Sequence, residues 1–362
     1  MNNPLVRLNR LGQSVWLDSL SRHVIKSGWL RRLVSDDCLS GVTSNPTIFQ
    51  KALAEGDDYD GDIALLRERF STASAVFREL AIQDIQDAAD VLRPVYNRTG
   101  GMDGYVSLEV SPALAHDTEG TIAEARMLWH DVSRPNVMIK IPATKEGLPA
   151  IERSIFDGIN INITLLFSLD RYREVVEAYL RGMERRAQKG SDLAHVRCVA
   201  SFFLSRIDVM IDKTAAPELR GNVAIASAKV AYQMYKEIFT SARFHRLEQL
   251  GARRQWLLWA STGTKNKEDS DVKYVEPLIG AETINTMPMA TIDAYRDHGN
   301  PQPRLEEGAE EARNLLDRLP AFGVDLKRVT QKLEDEGVEK FSKSYAELLQ
   351  QLDHKITPAP AR

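Results

Sequence analysis

The chain has 362 residues, of which 43% are hydrophobic and 27% charged, proportions typical of a globular protein and unlike those of a disordered or fibrous one. Its 47 basic and 51 acidic residues give a net charge of −4, which argues against a general affinity for nucleic acid. No apolar run approaches the ~20 residues that span a bilayer, so we expect no membrane segment.

The cysteine content and the first residues indicate a cellular compartment. Cys38 and Cys198 are the only cysteines, so the sequence offers no disulfide framework and suits a reducing environment. The first seven residues lack the apolar core of a signal peptide. We therefore expect a cytoplasmic protein.

Eight short apolar runs alternate with longer segments of helical period. The runs are residues 14–18, 41–45, 105–109, 137–140, 159–164, 198–201, 256–261 and 283–286. The intervening segments repeat their apolar residues every three to four positions, as in 169–188. This alternation predicts a (β/α)8 TIM barrel, with an open doubly wound sheet as the alternative.

Helices are expected on both sides of the barrel, whose strands span about 12–290. A short helix precedes residue 14. Charged periodic stretches at 304–319, 325–336 and 339–352 predict outer helices in an extension of about 301–355, and 356–362 reads as a loose tail. We find no repeat and no linker, so the chain 1–362 is expected to form a single domain.

Lys140 is the most informative residue because it closes the apolar run Val137-Met138-Ile139. A buried ammonium is costly unless it has a partner or a catalytic role. Burial favours the neutral amine, which is the nucleophile that Schiff-base chemistry on a carbonyl requires. The alternative is a lysine that extends from an edge strand into solvent.

Polar side chains stand at or near the ends of most of the predicted strands. They are Asp18, Thr43, Asn45, Glu109, Lys140, Asn162, Thr164, Ser201 and Ser261. The active site of a (β/α)8 barrel is assembled from several strands at their carboxyl-terminal ends. Although strands often end in polar turn residues, two carboxylates and a lysine favour a catalytic site.

Four local motifs, in this order, resemble those of the transaldolase family. They are TSNPT from Thr43, IKIPAT around Lys140, GININITLLFS from Gly158 to Ser168, and SFFLSR from Ser201 to Arg206. The resemblance covers about residues 12–290. It implies transfer of a dihydroxyacetone unit between sugar phosphates without cofactor or metal.

The resemblance also implies residue roles. Lys140 would form the Schiff base, Asp18 would exchange the C4 hydroxyl proton, and Glu109 with Thr164 would hold a water. The substrate would be bound by Thr43, Asn45, Asn162, Ser201, Phe203, Arg206, Ser261 and Lys265. Arg206 would hold the phosphate. Better-known relatives carry a second arginine after the seventh strand, where this chain has Lys265 as a candidate replacement.

Each role has a structural alternative. Asp18 or Glu109 could pair with Lys140 and keep it charged and inert. Asn162 or Thr164 could cap the next helix. Arg206 could pair with Asp208 or Asp212 on a surface helix, and Phe203 could belong to the core.

Three alternative functions can be compared with the sequence, and each is less favoured than the transferase. Fructose-6-phosphate aldolase, which resembles this chain, has an amide and a tyrosine where Glu109 and Phe203 stand, so the transferase is favoured. A barrel that only binds sugar phosphates would not need Lys140. Metal-dependent chemistry needs clustered histidines, whereas the seven here are scattered.

We expect a monomer or a homodimer.

Overall fold

A computed structural model describes residues 3–213 and 216–356 of the chain. Its strands form a closed barrel in chain order, and every neighbouring pair is parallel. The strands are β1 (Gln13–Leu17), β2 (Gly41–Thr43), β3 (Tyr105–Glu109), β4 (Val137–Pro142), β5 (Ile161–Leu166), β6 (Cys198–Phe203), β7 (Trp256–Ala260) and β8 (Thr283–Met287). The predicted (β/α)8 barrel is confirmed, and the alternative open sheet is wrong because β1 pairs with β8.

Helices precede, connect and follow the strands. They are α1 (Pro4–Arg10), α2 (Arg22–Lys26), α3 (Trp29–Asp36), α4 (Pro46–Ala54), α5 (Asp60–Leu66), α6 (Ala73–Arg98), α7 (Thr118–Val132), α8 (Gly147–Asp157), α9 (Leu169–Gln188), α10 (Ser205–Ile211), α11 (Val223–Phe239), α12 (Ala242–Gln249), α13 (Met289–His298), α14 (Ala309–Arg318) and α15 (Leu326–Ile356). Among the described residues, none of these helices combines the length and apolar character needed to cross a membrane.

Burial on both faces explains why the strands read as continuous apolar runs. All six residues of β4 are buried, and Val137, Ile139 and Ile141 have no measurable exposure. Parallel strands in a barrel are covered by helices outside and by one another's side chains inside. Lys140 is therefore a polar side chain placed within the packed wall of the barrel.

Most strand boundaries differ from the prediction by one or two residues, and at two of them the terminal residue belongs to a helix end instead. The sequence assigns Asn45 to β2, but its side chain accepts a hydrogen bond from the Ile48 amide and caps α4. It assigns Ile159 to β5, but the Ile159 amide donates to the Ser154 carbonyl and closes the end of α8. Gly158 makes that turn with φ +90°, a conformation that suits glycine.

The two helices predicted at 325–336 and 339–352 are in fact one. α15 runs unbroken for 31 residues, and Gly337 lies inside it. A Cβ added at Gly337 would lie 2.9 Å from the Leu165 side chain, so the glycine lets the helix approach β5 closely. Ile356 ends this helix instead of starting the tail, and residues 357–362 lie outside the described part.

The position of α15 also corrects the expectation that the last helices pack only on the outside. Thr47 and Ser344 share a hydrogen bond of 2.8 Å, which joins α15 to α4 just beyond the end of β2. Phe341 is 3% exposed and lines a cavity together with Lys140. The helix therefore lies against the carboxyl-terminal ends of the strands.

Candidate active site

Strand register, more than sequence distance, brings the central groups together. Glu109 on β3 is the register partner of Lys140 on β4, and Lys140 is the partner of Asn162 on β5. Neighbouring parallel strands lie about 4.8 Å apart, so register partners have adjacent side chains. The three residues form one row on the barrel wall.

Lys140 points into the protein. The residue is 4% exposed, its Nζ donates a hydrogen bond of 3.0 Å to the Ser44 carbonyl, and the same nitrogen lies 3.5 Å from Glu109 Oε2. The alternative of a lysine that extends from an edge strand is therefore wrong. The distance to Glu109 agrees with the interpretation in which Glu109 forms a salt bridge with Lys140.

Glu109 is a buried carboxyl group with unsatisfied hydrogen-bonding capacity. Its side chain is 6% exposed, and burial raises its pKa from 4.5 to about 7 against the opposing attraction of Lys140. Within the described residues, neither Glu109 Oε2 nor the buried Thr164 Oγ1 has a well-aligned hydrogen-bond partner. Both oxygens can accept a hydrogen bond from a small polar molecule.

Asp18 follows β1 and supplies a second carboxyl group. Burial raises its pKa, and the charge of Lys140 and a hydrogen bond from Thr43 oppose the rise. Thr43 Oγ1 donates to Asp18 Oδ1 at 2.9 Å and lies 2.8 Å from Thr286 Oγ1. Asp18 is thus held by β2 and has a higher proton affinity than an exposed aspartate.

Asn162 belongs to a hydrogen-bonded chain across three strands. Its Nδ2 donates to Ser107 Oγ at 2.9 Å, and its Oδ1 accepts from Ser201 Oγ at 2.6 Å. The helix after β5, α9, begins at Leu169, and the side chain of Ser168 caps it. The capping interpretation of Asn162 and Thr164 is therefore wrong.

Most of the predicted residues line one cavity of about 300 Å³ at the carboxyl-terminal end of the barrel. Those in its lining are Asp18, Thr43, Asn45, Lys140, Ser201, Phe203, Arg206, Ser261 and Lys265. Glu109, Asn162 and Thr164 do not line it. Glu109 lines a neighbouring cavity of about 250 Å³. Its connection to the 300 Å³ cavity is its contact with Lys140, which lines that cavity.

Arg206 turns toward this cavity and away from the acids of its own helix. Asp208 accepts hydrogen bonds from the Ala224 amide and the Tyr274 hydroxyl, and Asp212 accepts from the Gly221 amide. The predicted alternative of a surface pair is therefore wrong. Burial lowers the pKa of Arg206, and the charge of Asp18 opposes this effect.

Phe203 is both a core residue and part of the cavity wall. The residue is 7% exposed and its ring centroid lies 5.1 Å from that of Phe167, so it belongs to the core. It also lines the cavity, and the Arg206 guanidinium lies 5.5 Å from its ring centroid. The ring thus gives the cavity an apolar wall beside the arginine.

Ten residues of the cavity lining were not predicted from the sequence, among them Lys51 on α4, and Lys340 and Phe341 on α15. Lys51 could have been found, since the Asn45 cap places it on the second turn of a helix at the barrel mouth. Lys340 carries no such signal, because it lies far beyond the last strand in sequence. Among the described residues, no group of three or more His, Cys, Asp or Glu side chains is placed to hold a metal ion.

A buried lysine that contacts one carboxyl group and acts electrostatically on a second, at the mouth of a closed parallel barrel, defines a candidate active site of a (β/α)8-barrel enzyme. The sequence model of the family described as "Transaldolase/Fructose-6-phosphate aldolase" matches residues 15–352. The chain belongs to this family. The match extends through most of α15, well beyond the segment 12–290 that the motifs indicated.

Relatives named transaldolase match the chain over nearly its whole length. The Thermobifida fusca transaldolase is 50% identical over 98% of this chain and 99% of the relative. The Thiobacillus denitrificans transaldolase is 49% identical over 95% and 98%, respectively. Streptomyces coelicolor "Transaldolase 2" is 47% identical over 98% of both chains.

Proposed function

We propose that this protein is a transaldolase that acts through a Schiff base on Lys140. The donor is a ketose phosphate, sedoheptulose 7-phosphate or fructose 6-phosphate. The acceptor is an aldose phosphate, glyceraldehyde 3-phosphate or erythrose 4-phosphate, and the reaction belongs to the non-oxidative pentose phosphate pathway. The observation that carries the proposal is the Lys140 amine, which is buried in the wall of a cavity, lies 3.5 Å from Glu109 and is within electrostatic reach of Asp18.

The first half-reaction cleaves the donor. The neutral Lys140 amine attacks the C2 carbonyl, and loss of water leaves a protonated imine. Asp18 removes the C4 hydroxyl proton, the C3–C4 bond breaks, and its electron pair moves into the imine to give an enamine. The shortened aldose phosphate leaves. A raised pKa suits Asp18 to this role, because it must take up a proton and later return it.

The second half-reaction runs these steps in reverse on the acceptor. The enamine carbon attacks the acceptor aldehyde, Asp18 returns its proton to the new hydroxyl, and water hydrolyses the imine to free Lys140. The apolar ring of Phe203 offers no proton to the enamine, which favours transfer over release of dihydroxyacetone.

Glu109 and Thr164 support the steps that add or remove water. In this proposal a water lies beside Lys140 and donates hydrogen bonds to Glu109 Oε2 and Thr164 Oγ1, which have no hydrogen-bond partner among the described residues. A carboxyl group with a pKa of about 7 can both give and take a proton at neutral pH. The salt-bridge interpretation of Glu109 is thus compatible with a catalytic role.

Polar groups in the cavity wall orient the substrate. Asn45 and Thr43 lie beside Asp18, where they can bind the dihydroxyacetone hydroxyls, and Asn162 contributes through Ser201. Ser201 and Ser261 add to the polar wall. Arg206 also lines the cavity and binds the substrate phosphate in this proposal.

A coupled assay with sedoheptulose 7-phosphate and glyceraldehyde 3-phosphate tests the function. Product that depends on the acceptor supports a transaldolase, whereas dihydroxyacetone released without acceptor would identify the aldolase of the same family. Borohydride reduction with fructose 6-phosphate should add covalent mass at Lys140. A barrel that only binds sugar phosphates would gain none.

We also infer a cytoplasmic location and a monomeric or homodimeric state, with sugar phosphates as the small-molecule partners. Cys38 and Cys198 are both free thiols, and Cys198 is buried, which supports a reducing compartment. A fractionation experiment and light scattering test these two statements.

A further inference from the structure

A ring of positive charge surrounds the outer part of the cavity. Its members come from four separate elements: Lys51 on α4, Arg206 on α10, Lys265 in the loop after β7, and Lys340 on α15. Among the residues that the structure describes, none of these four cations has a carboxylate oxygen within 4.0 Å. Glu336 is close enough to act on Arg206, but it pairs with Lys332 at 3.7 Å.

Like charges repel, so such a ring is unfavourable unless an anion occupies its centre. The pKa of Lys340 is lowered by burial and, in decreasing order, by the charges of Arg206, Lys265 and Lys51. Lys340 therefore lies within electrostatic reach of the other three. A phosphate with two negative charges would relieve this repulsion and accept hydrogen bonds from several of them.

Packing fixes the place of Lys340 on the barrel. One turn before it, Gly337 approaches Leu165 so closely that a Cβ would lie 2.9 Å from the leucine side chain. One turn after it, Ser344 is hydrogen-bonded to Thr47 at 2.8 Å. Next to it, Phe341 is buried against the cavity. Contacts on both sides hold this turn of α15 over the site.

We propose that Lys340 binds the substrate phosphate, and that with Lys265 it supplies the positive charge which the second arginine supplies in better-known relatives. The inference rests on the proposed function, since it assigns the phosphate of the same substrates. It also explains why α15 crosses the site, because the helix carries a residue that selects phosphorylated acceptors. Two lysines act as point charges, whereas an arginine binds in a planar fork, so the subsite tolerates several phosphate orientations.

The test compares Lys340→Met with Lys343→Met, which removes an exposed lysine one turn along the same helix that does not line the cavity. With saturating fructose 6-phosphate, kcat/KM for glyceraldehyde 3-phosphate and for unphosphorylated glyceraldehyde is measured. Lys340→Met should lower kcat/KM for the phosphorylated acceptor by roughly 10- to 100-fold, as expected for one charge-assisted hydrogen bond. The value for glyceraldehyde should not change.

Lys340→Arg should restore most of the preference for the phosphorylated acceptor, because it keeps the charge. A preference that stays at the wild-type ratio in Lys340→Met, or that falls equally in Lys343→Met, overturns the inference. Neither result affects the proposed transaldolase function, which depends on acceptor-dependent transfer by the wild type.

The binding of inorganic phosphate tests the role of Lys340 independently of turnover. Inorganic phosphate is titrated into the full-length protein by calorimetry. The dissociation constant should rise roughly 10-fold or more in Lys340→Met and remain unchanged in Lys343→Met. Equal affinities in all three proteins would show that Lys340 does not bind phosphate.

Discussion

The Oε2 atom of Glu109 lies 3.5 Å from the Nζ atom of Lys140, and both side chains are more than nine-tenths buried. Burial opposes the carboxylate charge and the lysine charge favours it, and burial has the larger effect, since the pKa of Glu109 is raised to about 7. Glu109 therefore gains and loses its proton close to physiological pH, where the reaction must run.

The first prediction concerns stability and pH. The folded protein retains the Glu109 proton up to about pH 7, whereas the unfolded chain loses it near 4.5. Between these values the folded state binds more protons, so this group's contribution to stability is present below pH 4.5 and falls as the pH rises. The difference between the two pKa values corresponds to roughly 3 kcal/mol.

Glu109→Gln removes this titration. Denaturant unfolding at several pH values between about 4 and 8 should show that the stability of the wild type relative to the variant declines by that amount as pH rises. Glu119→Gln, at an exposed position on α7, is the matched control and should follow the wild type. Parallel curves for wild type and Glu109→Gln would contradict the assignment.

The second prediction concerns the nucleophile. Lys140→Ala should lower turnover by at least roughly a thousand-fold, because the other lysines in the cavity lining, Lys51, Lys265 and Lys340, have no carboxyl group within 4.0 Å among the described residues to assist imine formation. Borohydride trapping should disappear with it, while circular dichroism should report an unchanged barrel. Lys145→Ala, which removes an exposed lysine just beyond β4, should remain active. Substantial activity in Lys140→Ala would remove Lys140 from the mechanism.

The third prediction separates bond cleavage from imine formation. In the proposed mechanism Asp18 takes the C4 hydroxyl proton, so Asp18→Ala should slow cleavage of the donor by roughly 100-fold or more. Imine formation needs Lys140 and water and should be affected less. The measurement compares turnover with borohydride trapping of the donor. If trapping falls as far as turnover, Asp18 acts on the imine and is not the group that exchanges the C4 proton.

The fourth prediction tests the packing of the barrel. A Cβ at Gly41 would lie 2.2 Å from the ring of Trp16, which is 1% exposed and cannot move aside easily. Gly41→Ala should therefore cost about 1–3 kcal/mol of unfolding free energy. The control is Gly61→Ala on α5, where the described residues leave open space around the new methyl group. It should be neutral or slightly stabilising, by about 0.5–1 kcal/mol. Equal stability of both variants would refute the close contact.

The barrel could be predicted because its strands are buried on both faces. Runs such as Val137-Met138-Ile139 are long enough to be recognised, and the polar residues that follow them mark the active end. The predicted strand boundaries were less accurate where one residue could either end a strand or cap the next helix, as at Asn45. A polar residue such as asparagine is common in both positions, so the sequence does not distinguish them.

The rest of the site depends on distances that a linear sequence does not contain. Ser107 looks like an interior residue of β3, yet its side chain accepts a hydrogen bond from Asn162. Gly337 predicts a helix break, yet it is the point where α15 packs on Leu165. Lys340 enters the cavity only because that helix is unbroken. Each case is decided by tertiary packing instead of local preference.

The attachment of α15 has a consequence for how the enzyme loses activity on heating. The strands are linked into a ring by backbone ladders, whereas α15 is joined to the barrel by side-chain contacts such as Gln50–Glu347 and Thr47–Ser344. Separation of α15 breaks side-chain contacts but leaves the backbone ladders of the ring intact, so we expect it to need less free energy than opening of the ring. Inactivation should thus precede the main calorimetric transition, as an early and reversible step in which Lys140 stays in place but the rim of the site comes apart.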